Sequence, residues 1–393
     1  MRITSIVKNN EFFFHSKFIL PVISIIFIAI YLLRPLVFIV LLVPLLSFFK
    51  TTRYFNIVIL FFLVFASGFI SFSIKVDGDV KVYIDIINDL LSNGFNSNEI
   101  KGFEFFYAVI VCFLNLFFND PSVIYLLTLF IEYFLFAFVC YKLNKQFCCI
   151  LFSLSFLYSL VITVPYLQRQ FFATCFILLG CLSTNNKNKL FYYVLSLISH
   201  GSSILIIFFA ELFSNKCVNK KIMLSLLVLS LIIMQTMNAE YMYEIALYFN
   251  NNDFMSDFTY KFNFYLQDSE GGYPIYIVIL SFMVYVFFIK NSDDRDTLVN
   301  LFLTSCLLVF SFSHVPVLYN RMGFLICNMP TLLLPSILKS QLKFKLLGIM
   351  TVCFMIALTY YQLNRLENGE TYATFTVHSL LDANYLELLN HTQ

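Results

Sequence analysis

Apolar runs recur along nearly the whole chain, and the charged residues are confined to the stretches between them. Sixty per cent of the residues are hydrophobic and only 12% are charged, so several soluble domains cannot be drawn from this chain. The pattern is that of an all-α polytopic membrane protein, because only internally hydrogen-bonded helices satisfy the backbone of such runs in lipid. Candidate spans are 18–33, 36–49, 54–74, 121–141, 147–163, 170–183, 222–237, 274–289, 297–313, 322–338 and 344–361, about eleven in all by the usual length of a membrane helix. The first run, beginning at Phe18, has no small-residue cleavage site behind it and is expected to stay as the first anchor.

Lys and Arg favour cytoplasmic loops. With the N-terminus inside, this arrangement puts 17 of the 25 Lys and Arg residues on the cytoplasmic side and 8 outside. It holds only if two further apolar runs, 103–118 and 190–213, each enter and leave on one face. The second run is interrupted by His200-Gly201-Ser202-Ser203, which suits two half-helices of about 15 Å each. We therefore expect a broken, re-entrant pair there, against the plainer alternative of one straight crossing. A single transmembrane domain, 1–393, is expected, with 75–102 and 238–273 as extracytoplasmic loops.

Polar residues set into this background carry what chemistry the chain has. Arg169 stands in Pro165-Tyr166-Leu167-Gln168-Arg169-Gln170, and Arg321 in Tyr319-Asn320-Arg321-Met322, each at a membrane entry point on the side poor in cations. An arginine or histidine in a lipid-like setting is costly unless paired or wet. A guanidinium fork holds phosphate or pyrophosphate bidentately, so Arg169 and Arg321, with His200 between them in sequence, suggest a site for an anionic lipid head group. The bland alternatives are an Arg169 that snorkels to the surface and a His200 that satisfies a neighbouring carbonyl. Glu104 opens an apolar run, either as a base toward a sugar hydroxyl or as a first-turn charge. Glu132 falls mid-span and needs a partner inside the bundle.

Other readings find less support. Asp77-Gly78-Asp79 matches a metal-binding DxD in three residues only, without the soluble fold that such sites use, so no metal is expected. Most of the ten cysteines sit in apolar runs without a CxxC pair and read as small buried hydrophobes. Neither a Walker loop nor GxGxxG is present, which argues against an ATP-driven or NAD-dependent machine; no cofactor and no nucleic-acid partner are expected.

Asp79 with Tyr83, then Phe103-Glu104, Arg169-Gln170 with Ala173, and His200-Gly201-Ser202, in that order, resemble the O-antigen polymerase family in its Wzy/EpsG-like branch. The likeness spans roughly residues 75–325. Arg169 followed by Gly180 looks like the RX10G element of such polymerases, whereas Arg321 has Leu332 where the glycine would stand. The resemblance implies a GT-C-like helical fold in the bacterial inner membrane with its active site facing the periplasm. It implies a glycosyltransferase that moves a glycan from undecaprenyl pyrophosphate to a second lipid-linked repeat unit. Partners would be those lipid-linked oligosaccharides, membrane lipid and a chain-length regulator protein. Arg169 and Arg321 would meet the pyrophosphates, and Glu104 or His200 would serve as base. His200 with Ser202 would position substrate, Gln170 would join Arg169, and Asp79 and Tyr83 would shape the sugar cleft. A lipid-linked oligosaccharide flippase or other transporter, and an O-antigen ligase, are the rival functions; a structural scaffold leaves Arg169, His200 and Arg321 unexplained.

Overall fold

A computed structural model describes residues 28–40, 53–76, 78–94, 105–201, 203–214, 220–236, 278–285 except 280, 297–313 except 312, 330–333 and 383–390, with isolated positions at 353, 357 and 361. Among these the regular structure is helical throughout, apart from an isolated bridge residue at Ile74. Two helices, α1 (Arg53–Phe72) and α4 (Pro121–Leu143), are long and apolar enough to cross a membrane. Between them come α2 (Gly78–Asn93) and α3 (Phe105–Asn115). At 11 residues α3 is about 16 Å long, roughly half a bilayer core, in keeping with a run that does not cross.

The start of α4 is written in its sequence. Asp120 accepts from the Ser122 and Val123 backbone N–H groups, and Pro121 occupies the first helical position, where a missing N–H costs nothing. Its inner face packs on α1 across Gly68, where an added Cβ would collide with the Phe130 ring. Tyr133 then ties α4 to two neighbours. Its hydroxyl lies 2.5 Å from Ser71 Oγ and 3.2 Å from the Leu160 carbonyl.

Leu160 ends a π-helical turn, Phe156–Leu160, between α5 (Cys148–Ser155) and α6 (Val161–Tyr166). Together these three pieces make one helical rod of about 28 Å, ending three residues beyond the run 147–163. Pro165 lies inside its last turn, and Leu167 leaves helical geometry at φ −131°, ψ 39°. The chain restarts at once as α7 (Gln168–Leu182). A proline with no N–H to give, followed by a non-helical residue, separates the rod from α7.

α8 (Asn186–Ser199) returns antiparallel along α7, with Asn185 as its N-cap. Ser196 Oγ donates to the Ala173 carbonyl at 3.0 Å. The two helices approach closely at Gly180, where a Cβ would run into the Tyr193 ring. Helical structure stops at His200, turns through Gly201, and resumes as α9 (Ser203–Ser214). Ser203 holds this turn through its backbone N–H and hydroxyl, both donating to the His200 carbonyl. The pair folds back on itself. Lys189, early in α8, lies 2.5 Å from Glu211, late in α9, and the Tyr193 hydroxyl donates to the same carboxylate oxygen at 2.6 Å. Both ends of the 186–214 segment therefore lie on one side, as a broken pair requires.

Further helices are α10 (Lys220–Thr236), α11 (Thr297–Ser311) and α12 (Tyr385–Asn390), and residues 28–33, 35–40, 278–279 and 281–285 are helical as well. α11 packs against α9 and α10, while α12 lies on α1 through Tyr385 and Phe69. One expectation changes. Residues 75–102, read as a loop, contain a 16-residue amphipathic helix, α2, with Val80, Tyr83, Ile86, Ile87 and Leu90 buried along one face. Its Asp and Asn residues fall on the outer face, where they mimic loop composition, and Gly94 ends it at φ +55°, a conformation a side chain would disfavour.

Candidate functional site

Arg169 lies in the first turn of α7, directly after the break at Leu167, and is half-buried. No side chain caps this helix from Leu167 itself. Tyr83 does so from α2: the Arg169 backbone N–H and guanidinium both donate toward its phenol oxygen. The guanidinium carbon is 5.5 Å from the Tyr83 ring centroid, within cation–π range. Tyr83 is 5% exposed, and burial pushes its phenol above the usual range while Arg169 draws it back down. The arginine and the helix N-terminus carry the same sign of potential, so this corner of the molecule favours an anion.

The register of the α7–α8 pair brings a second expected residue to this end. Ser196 faces Ala173; four residues beyond Ser196 is His200, and four before Ala173 is Arg169. Both steps rise about 6 Å in the same direction, so the hairpin break stands level with Arg169. Gln170 is buried beside Arg169, and its carbonyl accepts from Thr174. Asp79 is exposed one turn before Tyr83 on α2. Arg169, Tyr83, Gln170, His200 and Asp79 are thus gathered at one end of the α2–α7–α8 group. Glu104, Ser202 and Arg321 lie outside the described residues, as does loop 238–273.

Beneath Arg169 the interior turns polar, which the sequence reading did not assign to the site. The Tyr107 ring of α3 packs on Tyr83 at 5.5 Å between centroids. Its hydroxyl approaches Thr128 without making a well-formed hydrogen bond. Gln168, fully buried, brings Oε1 within 3.5 Å of Thr128 Oγ1, while its Nε2 has no hydrogen-bond partner. One turn further along α4 is Glu132, 0% exposed, with neither carboxylate oxygen hydrogen-bonded among the described residues. The partner expected for Glu132 is not found among the described residues. The signal for Gln168 was present in the Gln-Arg-Gln triplet between two apolar runs; nothing local distinguishes Tyr107 from other aromatics.

This geometry sits within a recognisable family. The family model for EpsG matches residues 52–377. The chain belongs to the EpsG family. These are Wzy-like, polymerase-type membrane proteins, so a membrane setting and a polysaccharide-polymerase-like function follow in general terms. No curated protein and no solved structure matches. The matched span includes α1 to α11 and every expected site residue from Asp79 to Arg321. Within it, the glycine of the RX10G-like pattern has a packing role, since Gly180 admits the Tyr193 ring that anchors the 186–214 hairpin.

Proposed function

We propose that this EpsG-family chain polymerises oligosaccharide repeat units carried on undecaprenyl pyrophosphate, at the periplasmic face of the bacterial inner membrane, in O-antigen or related surface polysaccharide synthesis. In this reading the chain crosses the membrane about eleven times in a GT-C-like arrangement, and the 186–214 hairpin is re-entrant. The observation that carries it is the Arg169–Tyr83 contact at the start of α7, level with the hairpin break at His200.

The chemistry follows from that corner. A hydroxyl at the non-reducing end of the acceptor attacks the anomeric carbon of the donor glycan. The bond to the pyrophosphate oxygen breaks, and the lipid diphosphate leaves with the electron pair. Its negative charge is what a preorganised guanidinium stabilises, so Arg169 acts where charge develops, with Arg321 as a second clamp. Irregular backbone at His200 is tolerable at membrane depth where it lines a wet cavity, which suits a sugar cleft. Asp79, Tyr83, Gln170 and Ser202 hold sugar hydroxyls, and Glu104 or His200 is the base.

A flippase would share the lipid head group, and a ligase would share the leaving group. Surface glycan separates the three. Deletion of this protein should abolish long-chain ladders and leave single-repeat glycan on the surface. Loss of all surface glycan would reject polymerisation in favour of transport or ligation.

A further inference from the structure

Glu132 is placed where a structural role does not explain it. It lies in the middle of the spanning helix α4, on the same face as Thr128 one turn earlier. The polar contacts that lock α4 in place, from Asp120, Tyr125 and Tyr133, are made without it. Among the described residues, both of its carboxylate oxygens are buried without a hydrogen-bond partner, and so is the Nε2 of Gln168 nearby across Thr128. Buried polar groups left unsatisfied in a native structure call for an explanation, of which a catalytic role is one.

Among the described residues, the titratable groups that interact with Glu132 come from three of the helices packed around it and from its own; α1, α5 and α6, which also pack on α4, supply none. Tyr83 reaches in from α2, Tyr107 from α3 and Cys175 from α7, with Tyr125 and Tyr133 on its own helix; each lies within electrostatic reach of the carboxylate. Arg169 acts on Tyr83 and Tyr107 in the opposite electrostatic sense. Tyr83 is thus the group that touches the arginine and is also within electrostatic reach of the buried carboxylate. Its oxygen accepts from Arg169, so its own O–H remains a donor. Glu132 Oε1 and Oε2, Gln168 Nε2 and the Tyr107 hydroxyl are all buried without a hydrogen-bond partner among the described residues, so their polar capacity is unused.

We infer that Glu132, in place of Glu104 or His200, is the final proton acceptor behind the Arg169 site, reached through Tyr83 and Tyr107. The inference rests on the polymerase reading above. As the acceptor hydroxyl attacks, the Arg169 guanidinium turns from the Tyr83 oxygen to the pyrophosphate; the hydroxyl proton passes to the lone pair so released while the Tyr83 proton moves inward to the Glu132 carboxylate, directly or over one water. The glycosidic C–O bond forms and the bond to pyrophosphate breaks. The proton then returns along the same phenols to a phosphate oxygen of the departing lipid, and Glu132 is ionised again. Because it acts through Tyr83 and does not touch substrate, Glu132 is a positioning residue for the proton.

The test is Glu132→Gln in the full-length protein reconstituted in liposomes, assayed for extension of purified undecaprenyl-pyrophosphate-linked repeat unit across a pH series. The expected result is a rate at least tenfold lower with unchanged KM for the lipid-linked substrate. The acid limb of the pH–rate profile should be lost, and Glu132→Asp should restore part of both. Wild-type rate and profile in Glu132→Gln, with Arg169→Ala inactive in the same assay, would overturn the inference and leave the polymerase reading standing. An active Arg169→Ala would instead overturn that reading. Should Glu132→Gln fail to give a monodisperse protein, Tyr83→Phe decides: loss of the acid limb supports the relay, and a wild-type acid limb overturns it.

Discussion

Gly180→Ala should destabilise this protein although it adds only one methyl group. An ideal Cβ at position 180 would stand 2.7 Å from Tyr193 Cδ1 and closer still to Cε1. Carbon atoms rest at about 3.5–4.0 Å, so the ring or the helix must give way by roughly 1 Å. The ring is poorly free to move. Its hydroxyl is held by Glu211 at 2.6 Å, and Glu211 is itself held by Lys189 at 2.5 Å. Overpacking of this kind costs about 1–3 kcal/mol. The assay is thermal unfolding of the purified protein in detergent, completed as a double-mutant cycle with Tyr193→Ala, which opens space for the methyl group. The predicted outcome is a clear fall in midpoint for Gly180→Ala and little further cost when it is added to Tyr193→Ala. Equal costs in both backgrounds would refute the packing argument and return Gly180 to a direct role in the site.

Three other outcomes follow from the same geometry. Arg169→Lys keeps the charge but loses the fork and its grip on the Tyr83 phenol, at about 1.5–3 kcal/mol for a hydrogen bond to a charged group, so repeat-unit extension should fall by about ten- to a hundredfold. Glu132→Met removes buried oxygens that have no partner, and should raise the unfolding midpoint by the equivalent of about 1–3 kcal/mol while lowering activity; a lower midpoint would mean the carboxylate is structurally held. Cysteines introduced at Lys187 and Lys216 should label from the same membrane face, since the segment between them folds back on itself; labelling from opposite faces would reject the re-entrant hairpin.

Much of the candidate site was legible because its residues are expensive where they stand. Arg169 and Tyr83 are far apart in sequence yet meet, and the interruption at His200-Gly201 forms the turn of a hairpin. Local sequence was less informative where composition and periodicity pull apart. Helix α2 carries Asp79, Asp85 and Asp89 on a run rich in Asn and Gly at its ends, which reads as loop until the buried stripe from Val80 to Leu90 is traced. Glu132 announced itself as a costly mid-span charge, but its surroundings come from α2, α3 and α7, and no local pattern encodes that assembly. Tyr107 and Gln168 belong to the same class: ordinary residues made notable by the packing of distant helices. The glycine of the RX10G-like pattern shows the converse, a motif position whose local explanation is steric.

The central claim is that Arg169 holds a lipid diphosphate during glycan transfer. The most direct measurement is chain extension by the purified, reconstituted protein, supplied only with undecaprenyl-pyrophosphate-linked repeat unit and no nucleotide sugar. The wild-type protein should build a ladder and release undecaprenyl pyrophosphate, and Arg169→Ala, folded and membrane-inserted, should do neither. A ladder of normal length from Arg169→Ala would contradict the account.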